Sequence, residues 1–268
     1  MENFNEMADL AQSILNENTG YSRNKRIIKE LFNNSTDIEL RLRVIDSMYS
    51  TQMSKRLFGI DDIARAINVI NGLFNENCDK AIRQEIINTL NGNDSTIITE
   101  LLQSTYGRSK LEDRGVKATS LISKYLYFVN NSEFPIYDSL VKDSYRLFQI
   151  GTINEGNFIE KLRELNKNSR IKSYDKLDQF LWLAGKLKKG SLSLILDKKK
   201  YRSLIDAVGV EWILVHSRNI VGEIDSRRID DAISRKILNI DFLTKLSDMV
   251  LSQNLKKFLT FLSEHVDR

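Results

Sequence analysis

Pro135 is the single proline in 268 residues, and only twelve glycines accompany it. Strand-rich folds reverse direction every few residues and draw on these two residue types to do so, which argues against a sandwich, barrel or propeller. Between the scattered glycines, apolar residues recur at three- and four-residue spacing, the period of a helix with one buried face. Ile38, Leu42, Ile45 and Tyr49 make one stripe, and Ile60, Ile63, Ala64, Ile67 and Ile70 make the next. Asp61 and Asp62 stand where they favour the positive N-terminal end of that second helix. Further helices are expected at about 79–90, 95–105, 117–129, 139–149, 155–166 and 174–187. Asp94-Ser95 and Ser173 suit N-caps, and Gly72, Gly92, Gly107 and Gly190 suit helix stops. The expected fold class is all-α.

Residues 1–190 read as one helical domain and 191–268 as a mainly helical extension packed on it. The stretch after Gly190 is more apolar and reads as either helix or strand. From Asp225 onward, two amphipathic helices are expected, with Ile229, Ile233 and Ile237 and then Phe242, Leu246, Met249 and Val250 on one face. A lone Cys78 excludes an internal disulfide, a four-cysteine zinc site and a cysteine-ligated iron–sulfur cluster. Two histidines, His216 and His265, offer little for a metal site or a triad, and His216 in its apolar run reads as partnered and half-buried. No apolar run approaches the roughly 20 residues that span a bilayer. The acidic, polar start lacks the basic and apolar regions of a signal peptide. These features lead us to expect a cytoplasmic monomer without metal, cofactor or membrane contact.

The formal charge is +4, from 40 Lys and Arg against 36 Asp and Glu. That excess permits nucleic-acid binding only if the cations gather on one face. Two gatherings are visible: Arg108, Lys110, Arg114, Lys117 and Lys124, and then Lys186, Lys188, Lys189, Lys198, Lys199, Lys200 and Arg202.

The proline lies in the most informative segment. Gly115-Val116-Lys117-Ala118 opens an apolar helix, Asn130-Asn131-Ser132 breaks it, and Phe134-Pro135-Ile136-Tyr137 leads into Asp138 at the start of another helix. Proline fixes this approach and keeps the residue before it out of the helical region. Taken alone, Asp138 is a good N-cap. The order of these features, preceded by Tyr49-Ser50-Thr51-Gln52-Met53-Ser54, resembles the helix-hairpin-helix DNA glycosylase superfamily, its 8-oxoguanine and adenine glycosylases in particular. The resemblance spans about residues 38–150, and Lys117 stands where the hairpin's second glycine would fall.

The resemblance implies a glycosylase-like helical array that flips a modified base from duplex DNA and cleaves its N-glycosidic bond. Asp138 would be the essential carboxylate, with Lys117 or Lys124 as an amine nucleophile. Arg114, Gly115 and Lys142 would meet DNA, and Gln52 would enter the space left by the extruded base. Tyr125, Tyr137, Asp178 and Trp182 would line the base pocket. The chemistry suits the residues, because a fixed carboxylate can stabilise the positive charge that develops on the sugar or align the attacking water. An amine can instead attack C1′ and form a Schiff base. Extruding the base costs a few kcal/mol of unstacking. Two other readings stand beside enzymatic DNA repair. One is a catalytically inactive DNA-binding protein on the same scaffold, for example in antiviral defence against foreign DNA. The other is a helical protein-interaction module.

Overall fold

The computed structural model describes residues 3–74, 78–93, 95–108, 115–217 and 226–266. Fifteen α-helices and one two-stranded sheet occur among the described residues, so the protein is all-α. The first six helices are α1 (Phe4–Glu17), α2 (Thr19–Asn34), α3 (Ile38–Tyr49), α4 (Gly59–Phe74), α5 (Cys78–Leu90) and α6 (Thr96–Gln103). Strands β1 (Thr105–Tyr106) and β2 (Val116–Lys117) pair antiparallel, with Thr105 opposite Lys117 and Tyr106 opposite Val116. Helices α7 (Thr119–Val129), α8 (Ser139–Leu147), α9 (Phe158–Asn168) and α10 (Tyr174–Lys188) follow. A short turn at Leu192–Leu194 leads to α11 (Lys198–Val208), α12 (Val210–Ser217), α13 (Ser226–Ile237), α14 (Ile240–Leu243) and α15 (Gln253–Val266).

The helix starts follow local chemistry. Asp37 caps α3, Ser95 caps α6, Asp138 caps α8 and Ser173 caps α10, each accepting a backbone N–H of the first turn. Asp94 lies outside the described residues. Gly92 and Gly190 follow α5 and α10 at φ of +90° and +68°, where a side chain would be strained. Gly72 does not stop its helix: α4 continues to Phe74, and open space surrounds the glycine. The helix expected from residue 117 starts at Thr119, because Val116 and Lys117 are drawn into pairing with β1.

Every side chain of α7 is buried except that of Ser120, so this helix runs through the centre of the protein. α10 packs along α1 and α8, and α15 packs on α1 and meets α10 through Phe258 and Phe261. Their shared core is aromatic: Phe148 and Phe180 stack at 5.1 Å, and Phe4 lies 5.8 Å from Phe261. One apolar core therefore runs from Phe4 to Leu262, across the 190/191 position. The stretch after Gly190 forms a short turn, α11 and α12 in its described part, and no strand. The described part of the tail holds three helices rather than two. α14 is a single turn, so the stripe from Phe242 breaks and Met249 is left 87% exposed.

Candidate functional site

The approach to Asp138 is rigid. Asn131 and Ser132 take positive φ values at the end of α7, and Phe134, Pro135, Ile136 and Tyr137 are all buried. Tyr137 N donates to Ser123 Oγ on α7 at 3.1 Å, tying the segment to the central helix. The two carboxylate oxygens of Asp138 then divide their work. Oδ1 accepts from the backbone N–H of Leu140 and Val141 at 2.9 and 3.1 Å, while Oδ2 faces Lys124 Nζ at 3.1 Å. The N-cap and the lysine pair are thus properties of one residue. Burial pushes the Asp138 carboxyl up, but the Lys124 charge and the two N–H bonds outweigh it and hold the group below the usual aspartate value. Lys124 is 2% exposed and also donates to Ser120 Oγ at 3.0 Å.

A cleft of about 1130 Å³ opens over this pair. Its walls are aromatic and its rim is cationic. Tyr21, Tyr49, Tyr137 and Trp182 line it, with the Tyr21 and Trp182 rings 5.0 Å apart and Lys124 Nζ 5.5 Å from the Tyr49 ring. Its cations come from four places: Lys55 and Arg56 after α3, Lys117 and Lys124 at β2 and α7, Lys142 on α8, and Lys186 on α10 with Lys189 at its C-cap. Asp138 and Glu155 are the lining carboxylates among the described residues. Such a surface attracts polyanions, and flat rings give stacking platforms.

The turn after α3 is held by Asp46, a buried residue that accepts from Thr51 Oγ1, from Met53 N at 2.8 Å and from Ser54 N at 3.0 Å. These bonds keep Ser50 and Gln52 at positive φ, 52° and 65°, and leave Gln52 exposed at the cleft edge. Burial raises the Asp46 carboxyl, and the accepted bonds bring it below its ordinary value.

The residues expected from sequence divide as follows. Asp138, Lys124, Tyr137, Lys142, Trp182 and Gln52 all meet at the cleft. Lys117 reaches it from an exposed strand rather than from the helix, and its Nζ donates to Gln103 Oε1 at 2.6 Å. Tyr125 does not reach the cleft: it is fully buried 5.5 Å from Phe32, held in the core by α2. Gly115 packs against the strand pair, where a Cβ would come within 2.9 Å of the Thr105 side chain. Arg114 and Lys110 lie outside the described residues. Asp178, expected in the base pocket, is half-buried and not among the cleft-lining residues, without a hydrogen-bond or ion-pair partner among the described residues. Burial, then the Asp138 charge, raises its carboxyl to about 7 against the pull of Lys25 and Lys124. His216 is half-buried, stacked on Trp212 at 3.6 Å, with Nδ1 2.8 Å from Trp212 O.

Sequence reasoning did not place Tyr21, Tyr49, Lys186 or Lys189 at the site. For the last two a signal existed: Asp178, Trp182 and Lys186 fall at helical spacing on one face of α10, and Lys189, its C-cap, continues that spacing. No helix among the described residues is long and apolar enough to cross a membrane, and no cluster of three metal-ligating side chains occurs among them. No family model, curated protein or solved structure matches the chain.

Proposed function

We propose that the cleft binds duplex DNA with one nucleotide extruded and cleaves that nucleotide's N-glycosidic bond, as a divergent helix-hairpin-helix glycosylase would. The observation that carries this reading is the Lys124–Asp138 pair beneath an aromatic, cation-rimmed cleft. An ionised carboxylate fixed by a helix N-terminus is suited to stabilise the cation that forms on the sugar as the base departs. Tyr49 is held neutral by burial and by the charges of Asp178, Asp138 and Asp175, so its ring and hydroxyl can contact a base without adding charge. The cleft volume slightly exceeds the roughly 300–1,000 Å³ typical of small-ligand sites, which suits a nucleotide with its flanking backbone. In this role Gln52 stands beside the vacated position in the duplex, and the lysines of the rim take phosphates.

Incubating the full chain with duplexes that carry 8-oxoguanine and other modified bases tests the proposal. Wild type is expected to release one of these bases, and Asp138→Asn to lose at least about a hundredfold in rate, the scale of an electrostatic group in the transition state. The variant should still bind DNA. Equal rates in the two proteins would remove Asp138 from the chemistry.

A second reading has its own support. Both oxygens of Asp138 are already engaged, one by backbone N–H groups and one by Lys124. Held in that state, the cleft would bind DNA without cleaving it, as suits a defence protein that marks foreign DNA. Binding without release of any base tested would favour this reading.

A further inference from the structure

A basic surface lies outside the cleft, at the turn between α9 and α10. Between Lys161 and Lys176 stand six cations and two carboxylates, Glu164 and Asp175, an excess equal to the formal +4 of the whole chain. Both carboxylates are already taken, Glu164 by Lys161 at 3.1 Å and Asp175 by Lys25. Lys176 is held by Asp9 at 2.6 Å. Lys167, Arg170 and Lys172 are exposed, and none of these three side chains has a hydrogen-bond or ion-pair partner among the described residues.

The turn that carries them is pinned and strained. Arg170 and Lys172 take φ of 61° and 64°, the left-handed region where glycine or asparagine is the less strained choice. Ile171 between them is buried, and Ser173 caps α10 while its hydroxyl donates to Glu133 Oε1 at 2.7 Å. Glu133 Oε2 accepts from Tyr174 N at 2.9 Å, so this carboxylate serves the helix start rather than the cations. Lys167, in the last turn of α9, is favoured by the helix dipole. Arg170 and Lys172 lie past that helix end, where the fold itself gains nothing from their charge.

We propose that Lys167, Arg170 and Lys172 form a second contact surface for the phosphate backbone of DNA that enters the cleft. The proposal rests on the reading of the cleft as a DNA site. α10 joins the two places: Ser173 caps its start at the turn, and Lys186 near its end lines the cleft. At 1.5 Å per residue, that length of helix puts about 20 Å between them. Base pairs rise about 3.4 Å each, so the span is about six base pairs. A duplex centred on the cleft meets the turn only if it extends that far to one side. Cations held on a fixed turn without partners lose little when a phosphate arrives.

Affinity measured against salt with duplexes of about 8 and about 20 base pairs tests this. The variant Lys167→Gln/Arg170→Asn/Lys172→Asn removes the charges and puts asparagine at both left-handed positions, so it should melt no lower than wild type. Wild type is expected to bind the longer duplex with the steeper slope. The triple variant should lose about two to three units of slope on the longer duplex, at about 0.9 per phosphate, and none on the shorter. Lys55→Gln/Lys142→Gln, in the cleft, should flatten both slopes. An unchanged slope for the triple variant on the longer duplex would overturn the second surface and leave the cleft standing. Flattening by the triple variant on both lengths, and by the cleft variant on neither, would move DNA off the cleft and overturn the arrangement. Binding to vesicles of anionic lipid that only the triple variant loses, with its DNA slopes unchanged, would give this surface to a membrane instead. No binding of either duplex by wild type at low salt would overturn both the cleft reading and the proposal.

Discussion

The two oxygens of Asp138 set the electrostatics of the residues around them. Because the carboxylate stays ionised, Asp178 is pushed the other way, first by burial and then by that charge, to about 7. An acid whose folded pKa lies above its unfolded value of roughly 4 binds more protons in the native state between those two pH values. Its ionisation therefore costs stability as pH rises through about 4 to 7. Asp178→Asn, which cannot ionise, is expected to melt a few degrees above wild type at pH 8, with the difference vanishing near pH 4. Melting curves at the two pH values check this, and a variant no more stable than wild type at pH 8 would contradict the raised pKa of Asp178. At this scale the sequence was informative where chemistry is local. Asp138 follows a buried proline segment and opens a helix, and both facts are visible in a few letters. Tyr125 was not legible, because its neighbour Phe32 belongs to a helix about ninety positions earlier.

Among the elements, the contact between α8 and α10 places Lys186 near Asp138. That contact is close because Gly185 has no side chain: a Cβ there would fall 2.9 Å from Leu140 O and 3.1 Å from Leu140 Cβ. Neither atom belongs to a flexible side-chain end, so the helices themselves would have to part. Gly185→Ala is expected to cost about 1–3 kcal/mol, the range for overpacking a filled interior, read from urea unfolding. Unchanged stability would mean that the helices accommodate the methyl group. Helix positions were legible where caps and apolar spacing coincide, as at Ser173 and Asp138. They were misread where a distant partner decides, as at Val116–Lys117, which pairs with β1 although nine residues separate the two strands. The face made by Asp178, Trp182, Lys186 and Lys189 can be read from spacing alone. That it meets α7 and α8 at the cleft is a property of tertiary packing, which periodicity does not encode.

For the molecule as a whole, folding sorts the basic residues in a way their sequence clusters did not. Lys186 and Lys189 turn into the cleft beside Lys142, Lys55 and Arg56 from elsewhere in the chain. Lys198 and Lys199 are exposed on α11 and are not among the cleft-lining residues. If DNA lies in the cleft, only the first group meets phosphate. Each phosphate contact adds about 0.9 to the slope of log affinity against log salt, whatever the DNA sequence. The most direct test of the account is this slope, measured for a short duplex with wild type, with Lys55→Gln/Lys142→Gln, and with Lys198, Lys199 and Lys200 replaced together by Gln. DNA binding in the cleft predicts salt-sensitive binding by wild type, a slope flattened by about two units in the cleft variant, and little change in the α11 variant. A slope that flattens only in the α11 variant, or no binding by wild type at low salt, would contradict it.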